Sequence, residues 1–122
     1  VTIPADWTDI PEDAFKGCKD LKKVVIPAEI TEIKRYAFYL SGLEVVEFEA
    51  ESELETIGNS AFRGTSIESI NIPSTVTALG TGLFSTASGL KEVSFEDETQ
   101  LETIGGFAFH NTDIVSINIP ST

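Results

Sequence analysis

One phenylalanine returns through the chain at a nearly constant interval and in a constant context, and this restricts the fold more than any other feature. Phe15, Phe38, Phe62, Phe84 and Phe109 each close an Ala-Phe or Leu-Phe pair and stand 23, 24, 22 and 25 residues apart. Five residues before each comes an aliphatic side chain (Ile10, Ile33, Ile57, Leu79, Ile104), and three before that another large apolar one (Trp7, Ile30, Leu54, Val76, Leu101). After each Phe, a turn of four or five residues leads to an aliphatic residue and an apolar, any, apolar triplet. These stretches read LKKVVIP, LEVVEFE, IESINIP, LKEVSFE and IVSINIP. Self-similarity at a period of roughly 20 to 50 residues marks a solenoid or propeller.

The triplets alternate with period two and are built from β-branched or aromatic residues, as in Val24, Val25, Ile26 or Ile70, Asn71, Ile72, so each predicts one short strand per repeat. The Ala-Phe segment predicts a single helical turn. One copy begins Pro11-Glu12-Asp13, a residue suited to the first helical position followed by acids that favour the positive helix end. Gly58, Gly80 and Gly105 mark the same junction in other copies, where a positive φ is expected to let the chain change direction. No single copy can enclose its own apolar side chains. Stacking places each Phe on the next and each strand beside the next in a parallel sheet.

These features predict one α/β repeat domain over residues 1–122, with about five repeats near 4–27, 28–49, 50–73, 74–96 and 97–120. A longer period overlies the short one. Residues 51–75 and 98–122 align without gaps and share 17 of 25 positions, so two repeats form a duplicated unit. Strand ends alternate between Ile-Pro with a short link and Phe-Glu with a longer one. Pro27, Pro73 and Pro120 lie just past the triplets, where a missing amide donor ends a strand harmlessly. Val1-Thr2-Ile3-Pro4 matches Ile70-Asn71-Ile72-Pro73, and the chain stops at Ile119-Pro120-Ser121-Thr122, the start of a link. A piece of a longer array, open to end-to-end contacts with further repeats, is the expectation.

The pattern resembles the BspA-type leucine-rich repeat family, most closely in IPSTVTALGTGLF and ETIGNSAFRGTSIESINIPST. Departures are few: Leu83 replaces Ala, Lys34 and Pro11 replace Gly, and the Phe-Glu links are longer. The Asn of other leucine-rich repeats is missing, with Asp6, Glu29, Thr75 and Thr122 in its place, so those bends must satisfy their backbone groups differently. The resemblance implies a curved right-handed leucine-rich-repeat solenoid, with a parallel β-sheet on one face and short helical turns or irregular segments on the other. It also implies an extracellular or cell-surface protein used in adhesion or protein recognition. Fold transfers more safely than function.

Composition narrows the partners. Twenty acidic residues against eight basic ones give a net charge of -12, which repels a phosphate backbone and argues against nucleic acid. No apolar run reaches the roughly 20 residues that span a bilayer, so no membrane insertion is expected in this segment. Cys18 is the one cysteine, and its place between Phe15 and Leu21 predicts a small buried side chain rather than a reactive thiol.

A protein or other macromolecular ligand is the expected partner, met on the outward side of the strands. Lys23, Val25, Val45, Glu47, Ser69, Asn71, Glu92, Ser94, Ser116 and Asn118 form that side: fixed in register, free in identity. Drift of exposed positions would give the same variation. A second candidate is the acidic links, where Glu49, Glu51, Glu53 and Glu55 recur as Glu96, Glu98 and Glu102 beside Asp97. With no EF-hand loop or glycine-aspartate nonapeptide, a solvated edge is favoured over a Ca²⁺ site, and no metal or other cofactor is expected. Tyr36, Tyr39 and Phe107 fall outside the core frame and are either interface anchors or covers for neighbouring turns. His110 aligns with Lys16, Tyr39, Arg63 and Ser85 in a turn that accepts almost anything, and no nucleophile elbow, phosphate loop or zinc spacing occurs. The expectation is a binding module without catalytic residues. The alternative is a structural subunit of a larger assembly.

Overall fold

Each coil contributes two strands, where the triplets predict one. The computed structural model describes residues 2–120. The triplets form β2 (Lys23–Ile26), β4 (Val45–Phe48), β6 (Ser69–Ile72), β8 (Glu92–Phe95) and β10 (Ser116–Asn118). Between them lie two-residue strands: β1 (Asp9–Ile10), β3 (Glu32–Ile33), β5 (Thr56–Ile57), β7 (Ala78–Leu79) and β9 (Thr103–Ile104). The short strands pair in parallel, in the order β1-β3-β5-β7-β9, as one continuous ladder down the stack. Ile10, Ile33, Ile57 and Leu79 each bury one side chain from it.

The longer strands do not form the single sheet the sequence predicts. β2 pairs with β4, and β8 pairs with both β6 and β10, all in parallel, but β4 and β6 share no ladder. One feature sets the interrupted boundary apart from the others, and a second weakens it further. At the other boundaries the residue before the strand donates its amide one coil back: Glu44 to Lys22, Lys91 to Glu68, Val115 to Lys91. Two of those contacts set Lys against Glu, whereas the broken boundary would set Glu68 against Glu44, and like charges directly opposite destabilise a pair. At the far end, Glu49 and Glu96 donate to the Ile26 and Ile72 carbonyls, but Pro73 has no N–H to offer Phe48; Pro120 has none to offer Phe95 either, and there the ladder is shortened to three pairs rather than lost. Ser66 N to Leu43 O is the bond that remains near the gap, at 3.0 Å.

The five phenylalanines stack as the period predicts. Successive ring centroids are 5.2, 5.4, 5.8 and 5.9 Å apart, with interplanar angles of 8°, 8°, 10° and 15°. Phe38, Phe62 and Phe84 are fully buried, and Phe15 and Phe109 at the ends are partly so. Around this column pack Ile30, Leu54 and Val76 from the bends and Val24, Val46, Ile70 and Val93 from the strands. The first coil is closed by Ile3, buried, and Trp7, partly buried. The last is open: Ile104, Ile117 and Ile119 are 40%, 41% and 51% exposed.

The Ala-Phe segment is not a helical turn. Among the described residues there is no helix, and each of these segments is a run of overlapping β-turns. In the first coil Ala14, Lys16 and Cys18 donate to the carbonyls three residues back, of Pro11, Asp13 and Phe15, while the residues between, Asp13, Phe15 and Gly17, donate to Arg35, Ala37 and Tyr39 of the next coil. The alternation repeats in the second coil, where Tyr36, Phe38 and Leu40 donate to Asn59, Ala61 and Arg63. Residues two before and two after each Phe hold it in place by turning left-handed: Asp13, Tyr36, Ser60, Gly82 and Phe107 in one column, Gly17, Leu40, Gly64, Thr86 and Asn111 in the other, with φ between 55° and 72°. Such residues cannot continue a right-handed helix, and positive φ at the third residue is what a type II turn requires.

This also corrects the role of the junction glycines. Gly58, Gly80 and Gly105 are not among the positive-φ residues. They permit close approach: a Cβ at Gly58 would lie 2.8 Å from the Arg35 amide nitrogen, at Gly80 2.5 Å from that of Asn59, and at Gly105 2.4 Å from that of Thr81. Cys18 is a further correction. Its counterparts Ser41, Thr65 and Ala87 are buried between coils, but Cys18 sits on the outer side of the first coil and is exposed.

The bends that lack asparagine are closed locally. Trp7, Ile30 and Val76 donate to the Pro4, Pro27 and Pro73 carbonyls, and the Thr75 hydroxyl bonds to the carbonyls of Leu54 and Ser52 one coil back. In the longer links, Leu54 and Leu101 donate to the side-chain oxygens of Ser52 and Thr99. Thr122 lies outside the described residues.

Candidate interaction surface

The alternation of the long strands turns every second side chain outward, and register then sorts those side chains into two columns. Lys23 faces Val45 across β2 and β4, and Ser69, Glu92 and Ser116 align across β6, β8 and β10. The second column runs Val25 to Glu47, then Asn71, Ser94 and Asn118. Nine of these ten side chains are exposed and Ser94 is half-exposed.

The face has two chemical halves, divided at the break in the sheet. On β2 and β4, Val25 and Val45 are 41% and 43% exposed, next to the Lys23 to Glu47 ion pair at 3.3 Å. On the other three strands the residues are small and mostly neutral, and the Ser94 hydroxyl donates to Asn71 Oδ1 at 2.9 Å. Between the halves lies a cleft lined by Glu44, Val45 and Val46 on one side and Glu68, Ser69 and Asn71 on the other. A second depression borders β2, with Ile3, Lys23, Val25, Pro27, Glu29 and Glu49 around it.

The acidic links contain a structural function that their composition hides. Glu49 Oε1 accepts the Ala28 amide at 3.0 Å, and Glu96 Oε1 accepts the Ser74 amide at 2.8 Å. Each glutamate thus reaches one coil back and satisfies the N–H that follows the proline of the shorter bend. Recurrence of Glu49 as Glu96 in the two-repeat period was the available signal. Among the described residues no three His, Cys, Asp or Glu side chains gather as metal ligands would.

On the turn side the aromatic residues fall into two groups. Tyr36 and Tyr39, both half-buried, lie 5.3 Å apart with Lys16, Arg35 and Arg63 around them. Arg35 is fixed by both carboxylate oxygens of Glu12, at 3.2 and 3.3 Å. That hydrogen bond, then the Glu12 charge, pushes the guanidinium pKa above its ordinary value. Phe107 is 74% exposed, with the His110 ring edge-on at 5.7 Å. No helix among the described residues is long and apolar enough to cross a membrane.

Comparison with known proteins agrees with this geometry. The family model described as the BspA type leucine rich repeat region matches six copies across residues 1–122. Among solved structures, the crystal structure of the pneumococcal vaccine antigen PcpA superposes with a TM-score of 0.78 at 22% identity, over 92% of this chain. The matched part is 36% of that protein's chain, so the likeness is one of fold over about a third of its length. No curated protein matches the sequence.

Proposed function

We propose, from the premise that the chain belongs to the BspA-type leucine-rich repeat family, that it is a protein-recognition module whose strand face meets a macromolecular partner at the cell surface. The observation that carries this reading is the strand face itself. Its side chains are held in two columns by parallel register and stand clear of the core, so their identities can vary while the scaffold stays fixed. Exposed Val25 and Val45 beside a charged pair supply the apolar centre and polar rim of an ordinary interface. Surface placement is supported by the family and by the likeness to a vaccine antigen, and the module has no catalytic role of its own in this reading.

The test is a photo-crosslinking scan in the organism that makes the protein. A benzophenone side chain at position 25, 71 or 94 is expected to capture a partner, and the same group at position 32, on the outer side of the short-strand ladder, is not. Capture from position 32 with none from the strand face would refute the assignment. The exposed apolar side chains of the last coil favour a second reading, a structural subunit in a larger assembly. Its distinguishing outcome is crosslinks of fixed stoichiometry to the same neighbours from both the strand face and position 104.

A further inference from the structure

Three of the chain's eight basic residues, and both of its tyrosines, converge on the turn side of the first three coils. Lys16, Tyr39 and Arg63 occupy one repeat position in successive coils. Lys16 Nζ lies 5.7 Å from the Tyr39 ring centroid and 5.9 Å from that of Tyr36, the Arg63 guanidinium 6.0 Å from Tyr39, and the Arg35 guanidinium 5.4 Å from Tyr36. Arg35 is neutralised by Glu12, whereas among the described residues Lys16 and Arg63 enter no ion pair. Leu40, exposed, completes the patch.

The turn does not require these side chains. Tyr36 and Leu40 hold φ of 61° and 55°, a backbone state that penalises any residue with a Cβ, in columns where Gly82, Gly17 and Gly64 serve equally well. Neither side chain belongs to the Phe column. The patch is nevertheless rigidly mounted, since Tyr36 and Leu40 both donate their amides to the next coil. Bulk placed at backbone cost, on a rigid mount, without core packing, is the pattern of an interface anchor.

We propose that Lys16, Tyr36, Tyr39, Leu40 and Arg63 form a second docking surface whose occupant is an acidic segment of a partner protein, with carboxylates set beside apolar side chains. The charges select this occupant over others. Two unneutralised cations flank the rings, so a carboxylate gains both an ion pair and the edges of two tyrosines. The tyrosine faces already carry the protein's own cations, which leaves little face for a sugar ring to stack on. A long polyanion would meet the net charge of -12 along its length, whereas a short segment senses mainly charges within a Debye length of about 8 Å. This surface stands independently of the strand-face reading.

The test is an amide-shift titration of the labelled protein with a synthetic peptide repeating Glu-Phe-Gly, at physiological salt. Shifts at residues 16, 36–40 and 63 are expected, with a dissociation constant on the order of hundreds of micromolar. The double substitution Lys16→Glu with Arg63→Glu lies wholly on the surface and is expected to weaken binding at least about tenfold. Tyr36→Gly separates docking from folding: resistance to urea should rise as the backbone relaxes, while peptide binding falls. The proposal is overturned by absence of shifts up to millimolar peptide, by shifts centred elsewhere, by binding indifferent to charge reversal, or by a heparin fragment binding the same residues more tightly than the peptide.

Discussion

Glu96 Oε1 accepts the backbone N–H of Ser74 at 2.8 Å across one coil, and Glu49 holds Ala28 in the same way at 3.0 Å. The two bonds repeat because the two-coil unit repeats. Proline just before each donor ends the strand, and the next N–H would otherwise turn to solvent. Glu96→Ala is expected to cost about 1 kcal/mol, and Glu49→Ala about the same, the net worth of an exposed bond to a charged acceptor. Urea unfolding measures the loss, and faster hydrogen exchange at Ser74 or Ala28 localises it. Unchanged exchange in both variants would assign these glutamates to the solvent.

The stacked ring column predicts a gradient of cost along the axis. Phe62→Ala removes a fully buried ring with a neighbour on each face and is expected to destabilise by about 3 to 5 kcal/mol. Phe109→Ala, partly buried with one stacked neighbour, should cost roughly half as much. Chemical denaturation of the two variants decides it. Equal losses would mean that the rings contribute independently of their place in the stack.

Backbone geometry makes opposite predictions for two nearby positions. Gly80→Ala places a Cβ 2.5 Å from the Asn59 nitrogen of the previous coil, and forcing those backbones apart should cost about 2 kcal/mol or more. Thr86 is exposed and β-branched at φ 59°, so Thr86→Gly should stabilise by about 1 kcal/mol. Thermal unfolding of both reads the signs directly. A stabilising Gly80→Ala would contradict the close approach.

The break between β4 and β6 carries its own test. If repulsion of Glu68 by Glu44 helps to keep the ladder open, Glu68→Gln should remove it without setting a second lysine against Lys91, and should slow amide exchange at Asn71, whose N–H is in phase with position 73 and so faces β4. Exchange at Asn71 as fast as in the parent protein would mean that this charge pair does not hold the ladder open.

How much of this could be read from the residues follows from how strongly each feature repeats. The phenylalanine frame and its flanking aliphatics were legible because burial imposes the same demand on every coil. The outward positions of the long strands followed from alternation alone. The second ladder was not legible: a two-residue strand buries one side chain, and one side chain has no period. The turns were mistaken for helix because their left-handed positions are filled by Asp13, Tyr36, Ser60, Gly82 and Phe107, a column with no common chemistry. The junction glycines were correctly located but for a different reason, since the atoms that exclude a Cβ belong to another coil. Cys18 was expected to be buried from its place between Phe15 and Leu21, but burial there, as at Ser41 and Thr65, needs a coil on both sides. The Lys16, Tyr39, Arg63 column was visible in the repeat alignment, but only when read across copies rather than along the chain.

The interrupted sheet gives the molecule a directional compliance. A continuous seam of short strands runs down one side, while the other side is stitched in two blocks. At the gap the coils are joined by the seam, by Ser66 N to Leu43 O and by the turn-side amides, so a tilt of the first two long strands against the last three would break no long-strand ladder bond. A partner gripping both halves of the strand face would therefore set the angle between them.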